Sequence, residues 1–181
     1  MRRSFKLPMW TMMALALFFV FSLAACSADS EDVSTGSETN SSSTKNEKKS
    51  ESENVKKYSI NQDFQVNGLN VKIGDIKVQN NKVIVGLTLK NTTNDKLSFY
   101  PDQGNVVVGS MQLDADLFGG NGDVGGDIQA GVEKSGVIEF ITPDGKSLNP
   151  NDVKEVELHF GDVFNENSMN SSSFDQKINL Q

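Results

Sequence analysis

The sequence predicts an all-β fold, an antiparallel β-sandwich of seven or eight strands that occupies residues 58–181. Apolar and polar residues alternate there in short runs, which is the period of a half-buried strand. Gly, Asn and Pro separate these runs, as the turns of antiparallel sheets require. No helical period persists over about twelve residues after the N-terminal leader. A domain of about 120 residues buries enough apolar surface to fold without disulfides.

The first recognisable strands are predicted to pair as a hairpin. The run "LNVKIGDIKV" alternates and then resumes out of phase at Ile76. One extra residue restores the buried face, and Gly74-Asp75 marks the place for a β-bulge. The run "KVIVGLTLK" follows in a single phase, and Asn80-Asn81 between the two runs favours a tight turn.

The middle of the domain holds shorter runs. "LSFYP" predicts a strand that ends at Pro101, and "NVVVGSMQLDADL" predicts one strand or a hairpin around Gly109-Ser110. Residues 119–131 are glycine-rich, and we expect them to form a loop.

Three longer runs complete the predicted sandwich. "KSGVIEFITP" is apolar enough for a central strand. "VKEVELHFGDVF" alternates, with Val156, Leu158 and Phe160 inward and His159 outward. "SFDQKINLQ" predicts a final strand with Ile178 on its buried face.

The first 25 residues have the layout of a secretory signal, with a basic start, an almost wholly apolar stretch and small residues at its end. The stretch ends in "LAAC", which resembles the bacterial lipobox. The resemblance implies cleavage between Ala25 and Cys26 and a diacylglycerol on the sulfur of Cys26, the only cysteine of the chain. An uncleaved transmembrane anchor over 1–25 is the alternative.

Residues 26–57 are predicted to form a disordered tether between the lipidated cysteine and the domain. Ser, Thr, Asn, Glu and Lys dominate this segment, so it cannot bury enough apolar surface to offset its ordering entropy. Loss of residues 1–25 removes three basic residues and leaves 14 basic against 24 acidic ones, a formal charge of −10. Such a chain repels phosphate backbones, so no nucleic-acid partner is predicted.

Part of the folded domain also resembles a known family. "VGLTLKNTTNDKLSFYPDQGNVVV" and "VGGDIQAGVEKSGVIEFITP" are similar to a domain common in lipoproteins of Gram-positive bacteria. The matching elements are Lys90-Asn91, the "PDQG" segment at 101–104, and Gly131, Gly136, Phe140 and Pro143. The resemblance spans roughly residues 65–165 and implies an immunoglobulin-like (telokin-like) sandwich with no established biochemical activity. It transfers no site residues.

Catalysis has one candidate base. His159 is the only histidine, and Glu157 on the same strand is placed to orient it for a Ser–His nucleophile. No "GxSxG"-like turn presents a serine, and a lipidated Cys26 is not available as a nucleophile. The alternative is a surface histidine without a chemical role. We therefore predict no enzyme and no cofactor, with a hydrolase as the less favoured reading.

Calcium binding is a more serious alternative. "DADLFGGNGDVGGD" places Asp114, Asp116, Asp123 and Asp127 around a glycine-rich loop, and flexible carboxylates are the ligands that calcium prefers. The spacing fits neither an EF-hand nor a "GGxGxD" repeat. A long connection that uses Gly and Asp for its turns explains the same residues, so no metal site is predicted with certainty.

Together these observations predict a lipid-anchored protein on the extracytoplasmic face of the cell membrane. Its domain is expected to be a noncatalytic binding module of the cell envelope, for an unidentified protein or ligand. Loops at the ends of a sandwich commonly make such contacts, and residues 101–104 and 114–131 are the first candidates.

Overall fold

The computed structural model describes residues 32–36 and 54–180. The predicted leader, the cleavage site at Ala25 and Cys26, and residues 37–53 of the predicted tether lie outside them. In the part of the chain that is described, no helix is long and apolar enough to cross a membrane.

The described residues form eleven strands and one turn of 3-10 helix, η1. In chain order these are β1 (Lys56–Val66), β2 (Leu69–Val78), β3 (Lys82–Asn91), β4 (Leu97–Phe99), η1 (Pro101–Gln103), β5 (Asn105–Val108), β6 (Met111–Ala115), β7 (Asn121–Gly122), β8 (Gly126–Ile128), β9 (Glu133–Ile141), β10 (Glu155–Asn165) and β11 (Asn170–Asn179).

All strand pairs are antiparallel, in the order β1-β2-β3-β9-β6-β5-β10-β4-β8, with β11 on β10 and β7 on β9. This order divides into two halves, β1-β2-β3-β9 and β6-β5-β10-β4-β8. The halves are joined where β6 pairs with β9, through Asp114↔Ile141 and Ala115↔Phe140. This short junction leaves the two halves able to fold over one another.

Aromatic side chains join the two halves in the core. Phe140 of β9 stacks on Phe160 of β10 with ring centroids 5.6 Å apart, although these strands share no ladder. Phe160 stacks in turn on Phe174 of β11, also at 5.6 Å, and Phe64 of β1 meets Phe174 edge-on at 5.7 Å. The predicted all-β, sandwich-like fold is confirmed.

The strand count exceeds the predicted seven or eight. The further strands are β1, β7 and β8. Strand β1 is polar, with four half-buried apolar residues packed against the core, so its alternation is weak; these are Tyr58, Ile60, Phe64 and Val66. Strands β7 and β8 have two and three residues and lie in the glycine-rich segment that was expected to be only a loop.

Two local predictions are confirmed, the β-bulge in β2 and the hairpin turn at Gly109. The ladders place Ile73 opposite Leu87 and Ile76 opposite Val85, so Gly74-Asp75 is the predicted bulge. The expected hairpin around Gly109 joins β5 and β6, and Gly109 has a φ of 62°.

Candidate functional site

The two loops chosen from the sequence meet at one end of the sandwich. Asp102 of η1 lines an open depression of about 340 Å³ together with residues 116–117, 119–120 and 122–125, and Phe118 stands beside them in the chain. We call this region the tip surface and define it as Asp102, residues 116–119 and residues 123–125.

The loop after β6 is held against β9 by its backbone. Gly120 has a φ of +89°, and a Cβ on it would stand 2.2 Å from the carbonyl oxygen of Val137, so only glycine fits this approach. Lys134 of β9 fixes the other end, because its Nζ donates to Asp123 Oδ1 at 3.1 Å and to the Gly125 carbonyl at 2.7 Å. The loop is therefore shaped before any ligand arrives.

Two apolar side chains project from this loop. Leu117 is 66% exposed and Phe118 is fully exposed. Their turn is stabilised by Asp116, whose Oδ1 accepts the Phe118 N–H at 3.0 Å and whose carbonyl accepts the Gly119 N–H at 3.1 Å. A fixed turn that presents a phenylalanine to solvent forgoes the gain of burying it, about 1.5–3 kcal/mol.

Asp102 adds an unpaired acceptor to the wall of the depression. Its Oδ1 is shielded from solvent and has no hydrogen-bond partner among the described residues. The backbone of Gly125 covers it so closely that a Cβ there would lie 2.7 Å from this oxygen. Buried acceptors are normally paired. Because Gly125 closes this oxygen off from solvent, it belongs to the contact between the loop and η1 and is not itself a contact point for a bound molecule.

The structure does not bring the four calcium candidates together. Asp127 of β8 is bound by Lys96 Nζ at 3.0 Å and by the Ser98 hydroxyl at 2.9 Å. Asp114 accepts from the Gln112 amide at 2.8 Å, while Asp116 and Asp123 hold the loop as described. Among residues 32–36 and 54–180, no three His, Cys, Asp or Glu side chains are grouped as a metal site requires.

The carboxylate of Asp127 is adapted to a cation partner from the protein itself. Hydrogen bonds from Lys96 and then Ser98 hold the pKa of Asp127 below its usual 3.8, against a weaker desolvation. Lys96 also pairs with Glu166 at 2.7 Å. Lys96, Asp127 and Glu166 therefore form a surface ion-pair network that links β4, β8 and the β10–β11 turn.

His159 lines a second open depression of about 430 Å³ beside β10. Its Nδ1 is 2.7 Å from Asp175 Oδ1, directly across the β10–β11 ladder, and its Nε2 is 3.8 Å from Glu157 Oε2. Ser173 lines the same depression, but its hydroxyl donates to Asp162 Oδ1 at 2.6 Å. Asp175 therefore orients the His159 imidazole, but the Ser173 hydroxyl donates to Asp162 and not to His159.

The sequence reading missed Asp102 and the exposure of Phe118. Both lie in segments chosen as contact loops, but an unpaired oxygen such as Asp102 Oδ1 has no sequence signature. The signal that could have marked Phe118 is its position, an apolar pair between Asp116 and two glycines.

Two solved structures are similar to this chain. A functionally unknown protein from Listeria monocytogenes EGD-e is 12% identical with a TM-score of 0.51, and the match covers 70% of this chain and 88% of that one. A conserved hypothetical protein from Bacillus anthracis is 13% identical with a TM-score of 0.47, over 73% and 100% of the two chains. At such identity the likeness to the Listeria protein concerns the fold alone. No protein-family model and no curated protein matches the chain.

Proposed function

We propose that the chain is a lipoprotein of the cell envelope, anchored through an acylated Cys26 on the extracytoplasmic face of the membrane. Its sandwich domain, which we take to be immunoglobulin-like, acts as a noncatalytic binding module. Residues 1–25 are the cleaved signal, residues 26–57 connect anchor and domain, and the tip surface is the contact region. Its ligand is an envelope protein or another molecule with an apolar cavity that accepts Phe118.

The observation that carries the binding role is the fully exposed Phe118 beside Leu117 on a turn fixed by Asp116. A phenylalanine on a fixed turn contributes affinity when a partner buries it, because little loop entropy remains to be lost.

The lipid anchor is supported by the leader and by "LAAC" at residues 23–26. Two acyl chains anchor a protein stably without a basic patch, which suits an acidic mature chain. The test is incorporation of radiolabelled fatty acid in cells that express the chain. Cys26→Ala is expected to abolish the label, and label retained by this variant would reject the anchor.

The tip surface is tested separately, by a photo-crosslinking amino acid at position 118 in intact cells. Position 110 is the matched control, since Ser110 is exposed in the turn at the opposite end of β6. A discrete adduct from position 118 and none from position 110 supports the proposal. Equal adducts from both positions, or none from 118, would reject the tip surface as the contact region.

A measured affinity extends this test once the adduct is identified. Phe118→Ala is expected to weaken binding about ten- to a hundred-fold, the loss of one buried aromatic side chain. An unchanged dissociation constant would contradict the role of Phe118.

A further inference from the structure

Residues 32–36 lie far from the domain in sequence but pack on the outer face of its sheet. Val33 is 6% exposed and forms a small apolar cluster with Ile84 of β3 and Val137 of β9. This cluster is distinct from the main core between the two halves of the sandwich. Residues 26–57 were expected to be disordered throughout, so this docked segment is a departure from that expectation.

The sheet contacts the backbone of this segment at consecutive residues. The Ser34 N–H donates to Asp75 Oδ2 at 2.9 Å, and the Asp75 N–H donates to the Ser34 carbonyl at 2.8 Å. The hydroxyl of Thr88 donates to the Thr35 carbonyl at 3.0 Å. Contacts of this kind bind the peptide groups of a segment, and an apolar pocket beside them selects a side chain.

The carboxylate of Asp75, which accepts the Ser34 N–H, is fixed by further contacts from β1. Its side chain is 6% exposed, and besides Ser34 it accepts the Ser59 hydroxyl at 2.8 Å and lies 3.2 Å from Lys57 Nζ. Lys57 also bonds the Asp32 carbonyl and lies 3.4 Å from the Asp32 carboxylate. A buried carboxylate with three partners is a built feature of the domain.

Two strand glycines make room for the segment. A Cβ on Gly86 would stand 2.1 Å from the Ser34 carbonyl oxygen, and a Cβ on Gly74 would stand at the same 2.1 Å. The nearest atoms to both positions belong to residues 33–36. Glycine inside a strand weakens the strand, so its presence there commonly marks the close approach of another backbone.

The groove follows from the β-bulge. Gly74-Asp75 on β2 stand opposite the single residue Gly86 on β3, which brings both glycines and the buried carboxylate to one place on the outer face. We propose that this notch is a binding groove for a short peptide segment, occupied by the chain's own residues 32–36. It selects a β-branched residue at position 33 and bonds the peptide groups around position 34.

The test uses the full chain in detergent micelles and measures hydrogen exchange at the Asp75 amide, whose acceptor is Ser34. Val33→Asp is expected to speed exchange at Asp75 at least ten-fold, since the apolar cluster cannot hold a carboxylate. Val55→Asp is the matched control, because Val55 is 39% exposed outside the cluster. Exchange in the β3–β9 ladder is expected to stay unchanged in both variants.

The second step supplies the segment in trans. A synthetic peptide of residues 30–38 is expected to restore protection of the Asp75 amide in the Val33→Asp chain, with a dissociation constant below about 1 mM, the effective concentration that a short flexible connection provides. The same peptide with Asp at position 33 is expected not to bind. Gly86→Ala in the full chain is also expected to displace residues 32–36, because a Cβ there would stand 2.1 Å from the Ser34 carbonyl oxygen.

Equal exchange at Asp75 in Val33→Asp and Val55→Asp would overturn the proposal. Failure of the 30–38 peptide to restore protection would overturn it as well. Neither result depends on the lipid anchor or on the tip surface, so both are distinguishable from failure of the proposed function.

Discussion

Ser34 and Asp75 are joined by two hydrogen bonds that run in opposite directions. The Ser34 N–H donates to the Asp75 carboxylate at 2.9 Å, while the Asp75 N–H donates to the Ser34 carbonyl at 2.8 Å. The two residues are 41 positions apart in sequence. This reciprocal pair fixes a segment of low apolar content on a folded sheet.

Asp75→Ala is expected to lower the free energy of unfolding by about 1–3 kcal/mol, because the Ser34 amide and the Ser59 hydroxyl lose a buried acceptor. Urea denaturation of the full chain measures this. Asp144→Ala is the control, since Asp144 is exposed in the connection between β9 and β10. Equal unfolding midpoints for the two variants would show that the carboxylate of Asp75 contributes nothing.

Asn91→Ala is expected to cost about 2–4 kcal/mol, because several buried hydrogen bonds are lost at once. The Asn91 side chain is fully buried and donates to the carbonyls of Asp95 and Ile128 at 2.8 and 2.9 Å. Its Oδ1 accepts from the Thr93 amide and hydroxyl. Thermal unfolding compared with Asn81→Ala, an exposed turn position, measures the difference; a cost within about 0.5 kcal/mol of that control contradicts it.

Acidification is expected to destabilise the domain partly through Asp95. Hydrogen bonds from Asn167 at 2.6 Å and Asn165 at 3.1 Å hold the pKa of Asp95 below its ordinary 3.8. A lowered folded-state pKa gives stability that is full above the unfolded-state pKa and is lost as the pH falls through the folded-state value. The loss therefore falls below a pH of about 4.

The melting temperature measured from about pH 5 to about pH 2.5 tests this. Asp95→Asn is expected to flatten the acid limb of the curve, and Asp144→Asn to leave it unchanged. Parallel curves for the wild type and Asp95→Asn would show that Asp95 has the same proton affinity in both states.

Calcium is expected to leave the melting temperature unchanged, because Lys96 and Lys134 already occupy the carboxylates of Asp127 and Asp123. Calorimetric titration of the full chain with calcium is expected to show no binding heat. A melting shift that disappears in the double variant Asp123→Asn/Asp127→Asn would reverse this conclusion and restore the loop as a metal site.

Much of the fold could be predicted from the sequence because buried and exposed residues alternate along a strand with a period of two. The β2 bulge at Gly74-Asp75 was located from a phase change alone, and the central position of β9 from its apolar run. The β1–β2 hairpin was missed although Asn67-Gly68 marks it, with φ values of 44° and 82°.

The rest depends on contacts between distant residues. Asp127 was offered as a calcium ligand, but its partner Lys96 is 31 positions away, and no local pattern announces that pairing. Residues 32–36 have the composition of a disordered segment. Their docking was foreshadowed only by the two glycines inside β2 and β3, which the sequence reading explained as a bulge or left without comment.

If the chain is anchored through Cys26 as proposed, the docked segment also limits how far the domain can stand from the membrane. Five residues separate Cys26 from Asp32, a reach of at most about 20 Å. With the groove empty, the 29 residues between Cys26 and Lys56 would allow up to about 100 Å. A closed groove therefore confines a lipid-anchored domain to a thin layer over the bilayer, and release of five residues would extend its reach several-fold.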